Sequence, residues 1–330
     1  MVRCVLAGDV GGTNTNLGLY AVGPRRTLSL RRERAYPSQH YGGLDEVVRE
    51  FLAAGSERTA AAAFGIAGPV FEGVVVTTNL PWKVEASQLA RVIGCDRVQL
   101  MNDLETTAYG ALFLPPGDIH TLNHGTPRRG HCAVIAAGTG LGQALLFWDG
   151  KRYRPSASEG GHADFAPRND LQAALFAFLQ QHYPRVSYEH VLSGPGLYNI
   201  FRFFDEGLKR PVDACVRERL KTEDPSAVVG EAGVVGTCRT CGEVVNTFVS
   251  IYGAQAGNLA LTLMAVGGVF VGGGIVTRML PKMTTGVFME AFTAKEPFTD
   301  LMQEIPVRII LNANASRLGA AHTAAELMEE

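Results

Sequence analysis

The 330-residue chain carries little that would mark it for a membrane, for export or for a polyanionic partner. No apolar stretch approaches the ~20 residues that a spanning helix needs, and a strand-like run starting at Val2 leaves no room for a signal peptide. The end, Leu327-Met328-Glu329-Glu330, carries no peroxisomal address. Charge of one sign is also scarce: the formal net charge is -2 and neither half holds a long basic run, which argues against nucleic-acid and anionic-membrane partners. Arg25, Arg26, Arg31, Arg32 and Arg34 are locally basic and read as a solvated loop or strand face. The 6 cysteines are scattered, which excludes a disulfide framework. Only Cys238 and Cys241 share a metal-like spacing, but a zinc site needs about four ligands and no second pair accompanies them. They read as the cap of a helix. These absences together predict a cytoplasmic protein with reduced thiols.

Two nucleotide signatures are missing as well. Neither glycine-rich turn carries the P-loop lysine, which excludes Walker chemistry. The turn at 138–142 is followed by a β-rich run with its third glycine misplaced, so the dinucleotide fingerprint fails and hydride transfer is excluded with it. Glycine itself is plentiful, at 38 residues. Without Cβ, the backbone N–H groups of a glycine turn can converge on an anion. In Gly8-Asp9-Val10-Gly11-Gly12-Thr13-Asn14, Asp9 adds an acceptor able to hold a hydrated Mg²⁺, and Thr13 a donor for a phosphate oxygen. Either turn alone also reads as a plain tight turn.

Periodicity predicts a hairpin of strands over 2–8 and 15–22, a third strand near 27–35, and a helix carrying Leu44, Val47, Val48, Phe51 and Leu52. Strands over 60–66 and 73–78 follow, then a helix over 88–93 stopped by Gly94. The second half repeats the opening, with apolar runs over 132–137 and 143–148 joined by a glycine turn, so a duplicated architecture is expected. Helices near 170–182 and 194–206 flank looser sequence, polar from Lys209 to Pro225. A long buried helix over 241–263 leads to a strand over 269–271, a third glycine turn, a last strand over 307–311 and a helix from about Ser316.

The stretch Val98-Gln99-Leu100-Met101-Asn102-Asp103-Leu104-Glu105 organises the chain. An apolar strand stops at an Asn-Asp pair and a helical pattern starts at once, which puts Asp103 at a strand's carboxyl end, where α/β sheets hold ligands. An acid there can accept a hydroxyl proton while Asn102 orients the same molecule. In Ser158-Glu159-Gly160-Gly161-His162-Ala163-Asp164-Phe165, two glycines let Glu159 and His162 turn into one pocket, which suits a polyhydroxylated ligand. On that stretch alone a surface loop is the simpler reading, and a metal site would want another ligand. Glu189 is ambiguous for the same reason, and His190 reads as structural.

Together these residues resemble the bacterial-type glucokinase family of the actin, sugar-kinase and Hsp70 superfamily. The match runs almost end to end: Asp9-Val10-Gly11-Gly12-Thr13-Asn14, Thr78-Asn79-Leu80-Pro81-Trp82, Asn102-Asp103, Ala137-Gly138-Thr139-Gly140-Leu141-Gly142, Glu159-Gly160-Gly161-His162, Leu192-Ser193-Gly194-Pro195-Gly196 and Gly272-Gly273-Gly274-Ile275. The ROK-type sugar kinases share the first motif but follow the sugar-binding His with a cysteine-rich zinc motif; here Ala163-Asp164-Phe165-Ala166-Pro167 follows His162.

The resemblance implies an α/β, two-domain actin-like ATPase (ribonuclease H-like) fold, with a ligand cleft between a small α/β domain, 1–112 plus 306–330, and a larger α+β domain, 113–305. It implies ATP and Mg²⁺ as cofactors, with Mg²⁺ held through water at Asp9, and D-glucose as substrate. Asp103 is then the base, and Asn79, Asn102, Asp103, Glu159, His162 and Glu189 bind the sugar. Gly8 to Asn14, Gly138 and Thr139 hold phosphate, and Gly272, Gly273 and Gly274 lie against adenosine. A homodimer is implied too. Other hexoses, other phosphoryl donors and a non-catalytic sugar sensor are the alternatives.

Overall fold

A computed structural model describes residues 3–77 and 79–328; Met1, Val2, Thr78, Glu329 and Glu330, the third of them named in the second motif, lie outside the described residues. The chain divides into two units, one of residues 1–118, 144–157 and 312–330, the other of 119–143 and 158–311.

In the first unit the predicted hairpin forms from Arg3–Val10 and Asn14–Val22, antiparallel, with the third strand Leu28–Pro37 on its outer edge. Thr59–Ile66 and Val98–Asn102 extend the sheet in parallel on the other side. One face buries Leu6, Leu17, Leu19 and Phe64 against the apolar stripe of helix Leu44–Ala53, where Leu44, Val47, Val48 and Phe51 recur at helical spacing. The helix Ala86–Ile93 does end at Gly94, whose φ of 73° lies in the left-handed region that favours glycine.

The opposite face is alanine-rich. Val5, Ala7, Ala61 and Ala63 meet Ala320, Ala321 and Ala324 of the carboxyl-terminal helix Ala315–Leu327. Small side chains let that helix approach closely, and closest at its crossing with Asp103–Ala111. There Gly110 and Gly319 face each other: a Cβ at 319 would lie 1.9 Å from the Thr106 carbonyl oxygen.

The six-stranded sheet of the second half orders its strands as Tyr153–Ser158, Leu141–Trp148, Cys132–Ala137, Gly268–Gly272, Val307–Ile310 and Ile119–Asn123. Its first five repeat the order of the first sheet, third–second–first–fourth–fifth, so the duplication expected from two glycine hairpins is present as topology. The last strand departs from expectation. Val307–Ile310 pairs in parallel with Gly268–Gly272 instead of joining the amino-terminal part, because the second sheet needs its own fifth strand. Helix Arg239–Leu263 is mostly core, as its apolar periodicity predicts. Cys238 caps it, its Sγ accepting from the Cys241 N–H at 3.3 Å. The polar stretch after Lys209 contains a short helix, Ala214–Arg219. Among the described residues no helix is long and apolar enough to cross a membrane.

Gly319→Ala tests the helix crossing. The added methyl overpacks a backbone contact and is expected to destabilise the fold by ~1–3 kcal/mol, read as a lower urea midpoint with unchanged slope; an unchanged midpoint would show that the crossing has slack.

Candidate active site

The first unit gathers the Asn-Asp pair and the first glycine turn. Strand Val98–Asn102 stops because Asn102 becomes a helix cap: its Oδ1 accepts from Leu104 N–H at 2.9 Å while Glu105 reaches back to the Asn102 N–H, also at 2.9 Å. Burial raises the Glu105 carboxyl above its ordinary value, and the N–H groups of Asn102 and Ala157 oppose that shift. Asp103 is therefore the first helical residue, where the helix dipole favours negative charge. Its Oδ1 accepts from Leu104 N–H at 3.0 Å, which sets the carboxylate's direction. The Asn102 amide nitrogen donates to Gly68 O at 3.2 Å and keeps a second hydrogen.

The turn after Val10 closes with Gly11 N–H on Asn14 O at 3.0 Å. Ser38 ties back its carbonyls, donating its hydroxyl to Gly11 O at 2.8 Å and its N–H to Thr13 O at 2.9 Å. Asn79 packs on Gly12, its Cβ 2.8 Å from where a side chain would begin. That position is held by the loop around it: Thr77 donates to Leu80 O at 2.7 Å, and buried Trp82 donates its indole N–H to Tyr41 O at 3.1 Å. Gly8 and Val10 are buried strand residues, Gly8 against Phe64, so their part is to carry the turn.

A buried chain of hydroxyls links Asp9 to Asp103. Ser316 donates to Asp9 Oδ1 at 2.8 Å, Ser316 and Thr106 lie 2.9 Å apart, and Thr106 reaches the Asp103 carbonyl at 2.9 Å. Gly65 leaves the room, since a Cβ there would sit 2.2 Å from Thr106 Oγ1. Burial raises the Asp9 carboxyl, and the bonds from Ser316 and Asn16 and the charge of Arg317 pull it back. Neither Thr106 nor Ser316 stands out in the sequence.

The second unit gathers the remaining polar residues. His162 ends a short 3-10 turn, Gly160–His162, and is 53% exposed at its side chain. Its Nε2 lies 3.9 Å from Glu159 Oε2 and its Nδ1 3.8 Å from Glu189 Oε1. Both separations exceed a hydrogen bond, which leaves room for ligand hydroxyls among one imidazole and two carboxylates. Glu189 also binds the second glycine turn: its Oε2 accepts from Leu141 N–H at 2.9 Å and lies against Gly140. The turn is fixed on its other side by Gly194 N–H on Gly138 O at 2.8 Å. Thr139 sits between these two anchors. His190 is structural, as expected: its Nδ1 accepts from Ser187 N–H at 3.0 Å, its ring stacks on Tyr183, and burial lowers its pKa.

The third glycine turn lies beside the second. Gly273 has φ of 95°, and a Cβ on it would fall 2.1 Å from Ala137 O, so both conformation and space call for glycine. Tyr252, on the long helix, joins the two turns. Its buried hydroxyl accepts from Ala137 N–H at 3.1 Å and faces the carbonyls of Ile135 at 3.0 Å and Gly272 at 3.2 Å. A cavity of about 400 Å³ opens next to Gly274, lined by Ser226, Ala227, Gly230, Ile275, Arg278 and Met279. The helix Pro225–Val235 that forms its other wall has no mark in the sequence.

The sheet order and these turns are those of the actin-like sugar-kinase fold. Among solved structures, a glucokinase from an Antarctic psychrotroph superposes with a TM-score of 0.87 at 28% identity, covering 99% of this chain and 100% of that one. A ROK family glucokinase from Streptomyces griseus, 19% identical, shares the fold at a TM-score of 0.64, covering 98% of this chain and 99% of that one. The Glucokinase family model matches residues 6–327, and a glucokinase of Trichormus variabilis is 38% identical over 339 aligned positions, 98% of this chain and 99% of that protein. The chain belongs to the glucokinase family, as its motifs implied.

Tyr252→Phe leaves a buried N–H at Ala137 without its partner. The expected results are a loss of ~1–3 kcal/mol in unfolding free energy and weaker binding of the ATP analogue AMPPNP by calorimetry, with glucose binding retained. Unchanged AMPPNP affinity would contradict the role given to Tyr252.

Proposed function

We propose that the protein is an ATP-dependent glucokinase, transferring the γ-phosphoryl group of ATP to the 6-hydroxyl of D-glucose. The observation that carries this reading is the grouping of Glu159, His162 and Glu189, with gaps sized for hydroxyls, alongside a turn built to hold phosphate.

The sugar binds through Asn79, the remaining Asn102 N–H, Asp103, Glu159, His162 and Glu189. Asp103 accepts the proton of the attacking hydroxyl as transfer proceeds in line. A base adds about 10²- to 10⁴-fold, so most of the rate comes from orienting the hydroxyl and excluding water, which would otherwise hydrolyse ATP. The N–H groups of Gly12, Thr13 and Thr139 stabilise the charge on the phosphates, while those of Gly11 and Gly138 close the turns on Asn14 O and Gly140 O. Adenosine lies along Gly272, Gly273 and Gly274 in the cavity beside Ile275.

Asp9 fits an Mg²⁺ held through water: it is a hard oxygen donor, its direction is set by Ser316, and burial makes a nearby cation favourable. When bound, Mg²⁺ neutralises phosphate charge. Localisation in the cytoplasm, a glycolytic role and a homodimer belong to the same reading and rest on the family resemblance.

Asp103→Asn is the direct test. Glucose 6-phosphate formation is expected to fall ~10²- to 10⁴-fold while glucose binding by calorimetry persists. Glucose binding with no turnover of any hexose by the unmodified protein would leave a sugar sensor instead.

A further inference from the structure

A cavity of about 820 Å³ lies in the first unit, away from every residue assigned above. It is lined by Arg3, Cys4, Arg31, Glu57, Arg58 and Cys95 among others, at the start of the strand that ends near Asp9. Six residues of strand at ~3.3 Å each separate Arg3 from Asp9 by roughly 20 Å.

The sheet is irregular at this cavity and regular along the rest of these two pairings. Leu19 pairs with Arg32 and Tyr20 with Leu30, so Arg31 is an extra, unpaired residue. Cys4 pairs with Thr59 and Val5 with Ala61, so Ala60 is another. Bulges re-aim side chains, and both of these residues line the same cavity. The sequence reads Arg31 as part of a solvated face, and it is exposed; the bulge sets that exposed residue at the rim of this cavity.

The lining carries three arginines against one acid. Among the described residues Arg3, Arg31 and Arg58 make no ion pair with a carboxylate. The one acid of the lining, Glu57, lies 3.7 Å from Arg32, which is not in the lining and sits over the Phe51 ring. A second depression of about 580 Å³ shares Arg3 and Arg31, so this pair forms a ridge open on two sides. All three arginines are exposed on this one lining, and an anion among them would relieve whatever repulsion the solvent does not screen. Their forked donors match a phosphate group's oxygens, two at a time. The volume falls in the range of small-molecule sites, roughly 300–1,000 Å³.

We propose that this cavity binds a small phosphate monoester, its phosphate held by Arg3, Arg31 and Arg58. The inference goes beyond the kinase reading and does not rest on it.

Glycerol 3-phosphate, which lacks a hexose, is the probe, titrated calorimetrically into the full chain in low-salt buffer free of phosphate. The expected result is binding that weakens at least ~10-fold, or about 1.4 kcal/mol, in Arg31→Gln/Arg58→Gln. Arg58→Gln alone, a change in an exposed loop, should weaken it measurably too. Glucose phosphorylation by either variant without the ester should equal that of the unmodified protein, which also reports that they fold. No heat with the unmodified protein, or equal affinity in the double variant, would overturn the proposal. So would co-sedimentation with phosphatidic acid vesicles in the absence of any response to the soluble ester, which would make the cavity a lipid headgroup site.

Discussion

In the first unit the setting of Asp9 and Asp103 depends on one buried chain of oxygens. Asp9 lies one residue before the end of the strand that leads into the first glycine turn, and Asp103 opens the helix after another strand. Ser316 and Thr106 span the space between them, 210 residues apart in sequence. With Asp9 ionised, Ser316 donates to it, and the Thr106 proton serves both Ser316 Oγ and the Asp103 carbonyl. Such a buried network is costly unless satisfied and, once satisfied, holds its members in one arrangement. It needs Gly65 for space, and it needs the alanine and glycine faces that let the last helix come close. The alanines of that helix therefore bear on the position of the acid.

The second unit uses the same strategy with different groups. Tyr252 ties the two glycine turns together from inside, and Glu189 ties one of them to the loop that carries His162. Glu189 thus has one oxygen committed to the backbone at Leu141 and the other facing His162. A carboxylate in that position links the setting of the His162 imidazole to that of the glycine turn. Both halves place flexible-looking glycine turns on rigid supports, which is what orientation-driven catalysis requires.

Much of this was legible because the chemistry is local. Asn102 and Asp103 declare themselves at a strand–helix junction and the glycine turns by their spacing, whereas Glu159 and His162 alone read as a surface loop and were singled out by the family resemblance. The core helices were visible as apolar stripes, and the duplication as two hairpins. What sequence reading missed is long-range: Thr106, Ser316, Tyr252 and the helix Pro225–Val235 act through partners distant in the chain. Val307–Ile310 was misassigned because a strand's sheet is chosen by its pairing partner, and a short apolar run does not name one. Arg31 is solvated charge, as its sequence suggests, but the bulge that places it beside Arg3 leaves no mark in the pattern of its neighbours.

The claim that one hydroxyl chain holds Asp9 and Asp103 in a common frame is tested most directly by a double-mutant cycle. The turnover number for glucose phosphorylation would be measured for Ser316→Ala, Thr106→Val and their combination, with circular dichroism confirming the fold. Members of one network should show a coupling of ~0.5–3 kcal/mol in activation free energy, the double variant losing less than the sum of the single ones. Strictly additive losses would mean that the two hydroxyls act separately and that the acid is positioned by its helix cap alone.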